Sequence, residues 1–143
     1  ALRAAISCSV FLGRRVAAFN AMMAATRLPK KTEQEIAARN AEVEKTTQQA
    51  ILVPFRTLEL AWEAMQLSDK IADAGNVNAL SDAGVAALTA LSAAKAADYN
   101  ILINLSGSSD EAFKADIKTR AGELVNKCQQ LAESIETKVR DRI

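Results

Sequence analysis

Apolar side chains recur along this chain at intervals of three and four residues, and no stretch shows the two-residue alternation of a strand. Over residues 3–27, Ala5, Val10, Val16, Phe19 and Met23 fall near one helical stripe, with Arg14 and Arg15 outside it. Pro29 closes that segment, because the residue before a proline is pushed away from helical angles. A second helix is predicted from Thr32, which forms a capping box with Glu35. It runs through Glu42, Lys45 and Gln49 to Val53. Pro54 then falls inside the pattern and predicts a kink or a break, with helical spacing resuming through Leu58, Trp62 and Met65 to Ile71. Gly75 supplies the stop.

From Asn78 to Leu105 the chain is small or apolar on nearly every side, which predicts a helix buried all round at the centre of the fold. Ser108 and Glu111 form a second capping-box pattern. The last helix then places Phe113, Ile117, Ala121, Leu124, Cys128, Leu131, Ile135 and Val139 in one narrow seam, suited to shallow-angle packing along a bundle. These elements predict an all-α fold, an antiparallel helical bundle of four to five helices with a Pro-kinked second helix, forming a single domain over residues 1–143.

Composition sharpens this picture. Half of the residues are apolar and only two are proline, so the chain should be compact. Alanine is abundant and aromatics are few, which favours helices packed closely through small side chains. No uninterrupted apolar run approaches the roughly 20 residues of a transmembrane span, so none is expected. The formal charge of +1 hides an asymmetry: residues 1–32 carry six bases and no acid, whereas the remainder carries 12 bases and 17 acids. An acid-free, Arg-bearing start resembles an organellar transit peptide, but a basic helix face is the favoured account, because the apolar spacing continues smoothly into the domain. The expected location is therefore organellar (mitochondrial) or cytoplasmic, not secreted. Six bases before an acidic remainder make too weak an electrostatic footprint for nucleic acid. The chain has no histidine, which excludes Ser-His-Asp and Cys-His catalysis. Cys8 and Cys128 sit in apolar surroundings as packing residues; no metal and no covalently bound cofactor is expected.

Three strings carry a family resemblance. The first is Ala18-Phe19-Asn20-Ala21-Met22-Met23, leading to Arg27-Leu28-Pro29-Lys30 and the Thr-x-x-Glu opening. The second runs from Gly75-Asn76-Val77-Asn78-Ala79-Leu80-Ser81-Asp82 to Ala87, and the third is Tyr99-Asn100-Ile101-Leu102-Ile103-Asn104-Leu105, followed by Asp110–Lys114. With Val53-Pro54, they resemble the cyclodeaminase half of bifunctional formiminotransferase-cyclodeaminase and the bacterial methenyltetrahydrofolate cyclohydrolases, over residues 17–143 and leaving 1–16 as a divergent basic start. The resemblance implies a dimeric helical bundle acting on a tetrahydrofolate derivative. Cyclodeaminases close the N5-formimino group onto N10 and expel ammonia; cyclohydrolases interconvert the methenyl product with the formyl form. Both reactions need a proton donor, a base and polar groups to hold the pterin.

Asp82 is the candidate catalytic group, since an unpaired carboxylate within an apolar helix would cost several kcal/mol and must be partnered, capping or functional. Asn100 and Asn104 share one helical face, Asn76 and Asn78 flank the turn that opens the same helix, and these four could form one polar patch. Ser81 in the same string and Lys30 complete the candidate substrate-binding set. Structural readings stand beside each: a cap for Asp82, backbone bonds for Asn100 and Asn104, solvation for Lys30 and Lys31, and core or rim packing for Trp62 and Tyr99.

The pattern also departs from the family. Members carry a Pro-Gly-Gly-Gly-Ser loop upstream, whereas the five glycines here are isolated, and Arg15 stands where an Asp is usual. The reading that follows leans toward an inactive 143-residue chain. Two functions are carried forward: a folate cyclodeaminase or cyclohydrolase, and a non-catalytic accessory subunit. The expected partners are a second copy, as a homodimer, or the protein subunits of a larger assembly.

Overall fold

The computed structural model describes the backbone of residues 2–74 and 76–143, and the side chains of residues 13–74 and 76–143. Among the described residues there are four α-helices: α1 (Leu2–Thr26), α2 (Glu33–Ala74), α3 (Leu80–Leu105) and α4 (Glu111–Arg140). A single 3₁₀ turn, Val77–Ala79, precedes α3. Short connections make successive helices antiparallel neighbours in a bundle. Gly75 and the Cys8 side chain lie outside the described residues.

Local chemistry explains where α2 begins. Thr32 Oγ1 accepts from the Glu35 amide at 3.2 Å, and Glu35 Oε2 accepts from the Thr32 amide at 3.0 Å, which completes the predicted capping box. Of the kink or break expected at Pro54, the break does not occur. The helix runs unbroken for 42 residues, about 63 Å at 1.5 Å per residue. Proline has no amide hydrogen, so the Ala50 carbonyl loses its intrahelical donor. Asn104 of α3 supplies a replacement, its Nδ2 donating to Ala50 O at 3.3 Å.

The start of α4 also differs from expectation. Asp110, not Ser108, is the cap, and its Oδ1 accepts from the Phe113 amide at 2.9 Å. Ser108 is drawn away because its hydroxyl donates to Glu44 of α2. Gly107 permits this turn to press against α2: a Cβ there would lie 3.3 Å from Thr47 Cγ2.

The core lies where α2, α3 and α4 meet. Helix α3 contributes a ladder of Ala83, Ala87, Ala90, Ala94 and Ala97, ending in Ile101 and Leu105. These small side chains let α2 approach closely with Ile51, Phe55, Leu58 and Met65. The seam of α4 buries Ile117, Ala121, Cys128, Ala132, Ile135 and Val139, with Phe113, Leu124 and Leu131 partly buried beside it. Burial pushes the Cys128 thiol pKa up, as befits a packing residue. Arg120 of α4 lies 4.7 Å over the ring of Phe55, adding a cation–π contact to the α2–α4 packing.

The expectation that α3 is buried all round is corrected. One face packs, while Val85, Leu88, Tyr99 and Ile103 on other faces are exposed, Ile103 by 71%. With its 3₁₀ lead-in, α3 is the one helix among the described residues long and apolar enough to cross a membrane by length and composition. Its hydropathy is shared between the alanine ladder that faces α2 and α4 and exposed residues such as Val85, Leu88, Leu102 and Ile103, and Lys95 and Asp98 interrupt it.

Candidate functional site

One cleft gathers residues from three helices. Arg15, Ala18, Phe19 and Met22 come from α1, Ala50, Val53 and Pro54 from α2, and Asn100 and Asn104 from α3, around about 170 Å³. Its position follows from the alanine ladder, which ends at Ala97 and gives way to asparagines just where α1 crosses. Asn100 is oriented by its own helix: Nδ2 donates to Ala96 O at 2.7 Å. That leaves Asn100 Oδ1 to accept from Arg15 Nη2, a long contact of 3.4 Å. Asn104 is committed to Ala50 O, bridging α3 to the proline site on α2. The result is a cleft with an apolar wall of Phe19, Met22, Val53 and Pro54 and a polar wall of two amides and one guanidinium. It can hold a flat heteroaromatic edge by hydrogen bonds while shielding one face.

The candidates named from sequence divide into two groups. Asn100 and Asn104 meet in the cleft, each with a backbone partner of its own. Asn76, Asn78, Ser81 and Asp82 lie at the opposite end of α3, about 30 Å away over some 20 residues at 1.5 Å each. A single chain therefore does not join the four asparagines into one patch. Asn76 Oδ1 accepts from the Asn78 amide at 3.1 Å and caps the 3₁₀ turn. Asp82 is exposed in the first turn of α3, where a negative charge suits the helix dipole. The burial argument that nominated it does not hold, because its flank of the helix faces outward. Lys30 is exposed in the α1–α2 connection and is not part of the cleft lining. Trp62 is partly buried against the core, and Tyr99 is exposed.

Sequence reading missed the cleft's apolar wall as a site, although the signal was present: the Ala-Phe string, Val53-Pro54 and the Tyr99–Leu105 string supply most of the lining. It also missed a polar cluster at the α3–α4 turn. Glu44 accepts from the Ser108 hydroxyl, from the Ser109 amide at 2.7 Å and from the Ser109 hydroxyl at 2.8 Å. Gln48 Nε2 adds a fourth donor at 2.9 Å. The Ser108 bond first, then the Ser109 amide, lowers the Glu44 pKa from 4.5 to about 2. Asp98, half-buried on α3, has its carboxyl pushed up by burial, but it lies outside the cleft lining. Among the described residues, no three His, Cys, Asp or Glu side chains gather to hold a metal ion.

Comparison with known proteins gives this cleft a context. Residues 11–123 match the family model described as formiminotransferase-cyclodeaminase. The chain belongs to this family. Relatives include a methenyltetrahydrofolate cyclohydrolase of Methylorubrum extorquens, 34% identical over 128 residues that make up 90% of this chain and 62% of that protein. The formimidoyltransferase-cyclodeaminase of Rattus norvegicus is 33% identical over 80% of this chain and 21% of its own length. A formiminotetrahydrofolate cyclodeaminase from Thermotoga maritima shares the fold, with a TM-score of 0.79 at 21% identity, over 92% of this chain and 61% of that one. The chain thus spans less than two thirds of each of these relatives. Within this cyclodeaminase-type domain, strings far apart in sequence converge on the α1–α2–α3 cleft and nowhere else among the described clefts.

Proposed function

We propose that this member of the cyclodeaminase family binds a one-carbon derivative of tetrahydrofolate in the α1–α2–α3 cleft. The reaction class is interconversion of the formimino, methenyl and formyl forms. The observation that carries this reading is the meeting of Phe19, Val53-Pro54 and Asn100 with Asn104 in one cleft. Each belongs to a string by which the chain resembles folate enzymes. The two amides and Arg15 supply hydrogen bonds to a pterin edge, and the apolar wall supplies a surface for its face. At about 170 Å³ the cleft takes one ring system, and the remainder of a folate would lie across the exposed surface beside it.

The test pairs binding with turnover. The purified chain is titrated with tetrahydrofolate derivatives by calorimetry, and methenyl formation or loss is followed by absorbance. Binding with turnover establishes an enzyme. Absence of binding by every one-carbon form sinks the folate reading.

A second reading, a non-catalytic accessory subunit of a larger assembly, is favoured by one feature. Among the described residues, Arg15 is the only ionisable group lining the cleft, and neither a carboxylate nor a neutral base is among them to move a proton. Binding without turnover supports this reading. We also propose that the exposed apolar side of α3 is covered in the working particle, by a second copy or by another subunit. The native mass of the particle distinguishes the two.

A further inference from the structure

Arg15 gives the cleft an unbalanced positive charge. Its described partner is the Asn100 amide oxygen, a neutral acceptor at the long distance of 3.4 Å. None of the cleft-lining residues is acidic, and residues 1–32 contain no acid. Arg14 lines the neighbouring groove beside Val53 and adds charge of the same sign, while Arg56 of that groove is already paired with Glu59 and Glu63. Asn100 cannot turn away freely, because its other amide atom is held by Ala96 O at 2.7 Å. Asn100 therefore positions the guanidinium against the cleft.

The one-carbon forms of tetrahydrofolate differ in charge at the one-carbon unit itself. A methenyl bridge between two nitrogens is an amidinium cation, and a protonated formimino group is one as well. An N-formyl group is uncharged and offers a carbonyl oxygen as acceptor. We propose that Arg15 makes this cleft selective for the N-formyl form over the amidinium cation. This rests on the reading that the cleft binds folate. A sphere of about 170 Å³ is about 7 Å across, so any group inside lies within reach of the guanidinium field, where two like charges repel appreciably even near a surface. The formyl oxygen instead accepts a charge-assisted hydrogen bond.

The experiment measures dissociation constants of 5-formyltetrahydrofolate and 5,10-methenyltetrahydrofolate by calorimetry, under conditions where the methenyl cation persists. Both ligands carry the same glutamyl tail, so any attraction of Arg15 for the tail cancels in their ratio. For the native chain, preference for the formyl form is expected to be on the order of tenfold, and to shrink at high salt. Arg15→Gln should bring the ratio toward one, Arg15→Asp should reverse it, and Arg15→Lys should retain it. Arg15 is exposed, and the helicity of each variant checks that the bundle persists. Equal affinities in the native chain, or a ratio unmoved by Arg15→Gln and Arg15→Asp, would overturn the proposal while leaving folate binding intact. A parallel loss of both affinities in Arg15→Gln at constant ratio would also overturn it, assigning the guanidinium to the tail. Failure of both ligands to bind the native chain removes the folate reading, and this selectivity with it.

Discussion

Ala50 and Pro54 stand one helical turn apart on α2, and the proline deprives the Ala50 carbonyl of its normal donor. Asn104 restores the bond from another helix. Removing that donor strands a partly buried carbonyl, so Asn104→Ala should cost about 1–2 kcal/mol in urea denaturation. In a Pro54→Ala background the helix regains its own amide hydrogen, and the same change should cost clearly less. An identical loss in both backgrounds would show that Asn104 does something other than serve this carbonyl. Glu44 supports a second residue-level expectation. Its folded pKa is lowered to about 2 from 4.5, so its stabilising effect is fully present above about 4.5 and is lost as pH falls through 2. Acid titration of stability should therefore show a decline over that window, and Glu44→Gln should flatten it. Both Asn104 and Glu44 are plain in the sequence, but their partners lie 54 and 64 or 65 positions away, beyond the reach of local pattern.

Helix boundaries followed local chemistry where the capping groups had no competitor. Thr32 and Glu35 bond only to their own turn and to Lys31 next door, so the start of α2 was legible. Ser108 had a competitor in Glu44, and the cap passed to Asp110. Accordingly, Asp110→Ala should destabilise α4 by about 1 kcal/mol as a lost cap. In Ser108→Ala the loss should depend on Glu44, vanishing largely in a Glu44→Gln background; equal effects in both backgrounds would return the cap to Ser108. The seam of α4 was the most readable element because a narrow stripe at three and four spacing has only one way to be buried. Ile135, fully buried in the C-terminal part of that seam, should cost about 2–5 kcal/mol when cut to alanine. In α3 the stripe was hidden, since alanine, leucine and valine surround the helix and leave no polar face to mark the outside.

Among the described residues, large apolar side chains stay exposed on three of the helices. Leu88, Tyr99, Leu102 and Ile103 of α3 are exposed, as are Phe19 of α1 and Leu67 and Ile71 of α2. Surface of this kind in contact with water favours association. The native particle is expected to exceed the mass of one chain by light scattering, and Ile103→Glu should lower that mass while preserving helicity. A monomer in the native chain would remove the proposed cover from α3.

Period and punctuation by themselves determined the all-α class, the four helices, the capping box at Thr32 and the buried stripe of α4. These depend on neighbours within a turn or two, where side-chain type and spacing act directly. The resemblance strings were legible as well, and they pointed to the folate family before any geometry was known. Only the tertiary structure decided which of their residues meet. Asn100 and Asn104 converge with Arg15 and Pro54, while Asn76, Asn78 and Asp82 are held a helix length away, because α3 is one continuous helix whose two ends lie apart. It also decided that Pro54 sits in an unbroken helix. The missing donor is supplied across the bundle, and a long-range partner of that kind leaves no mark in local sequence.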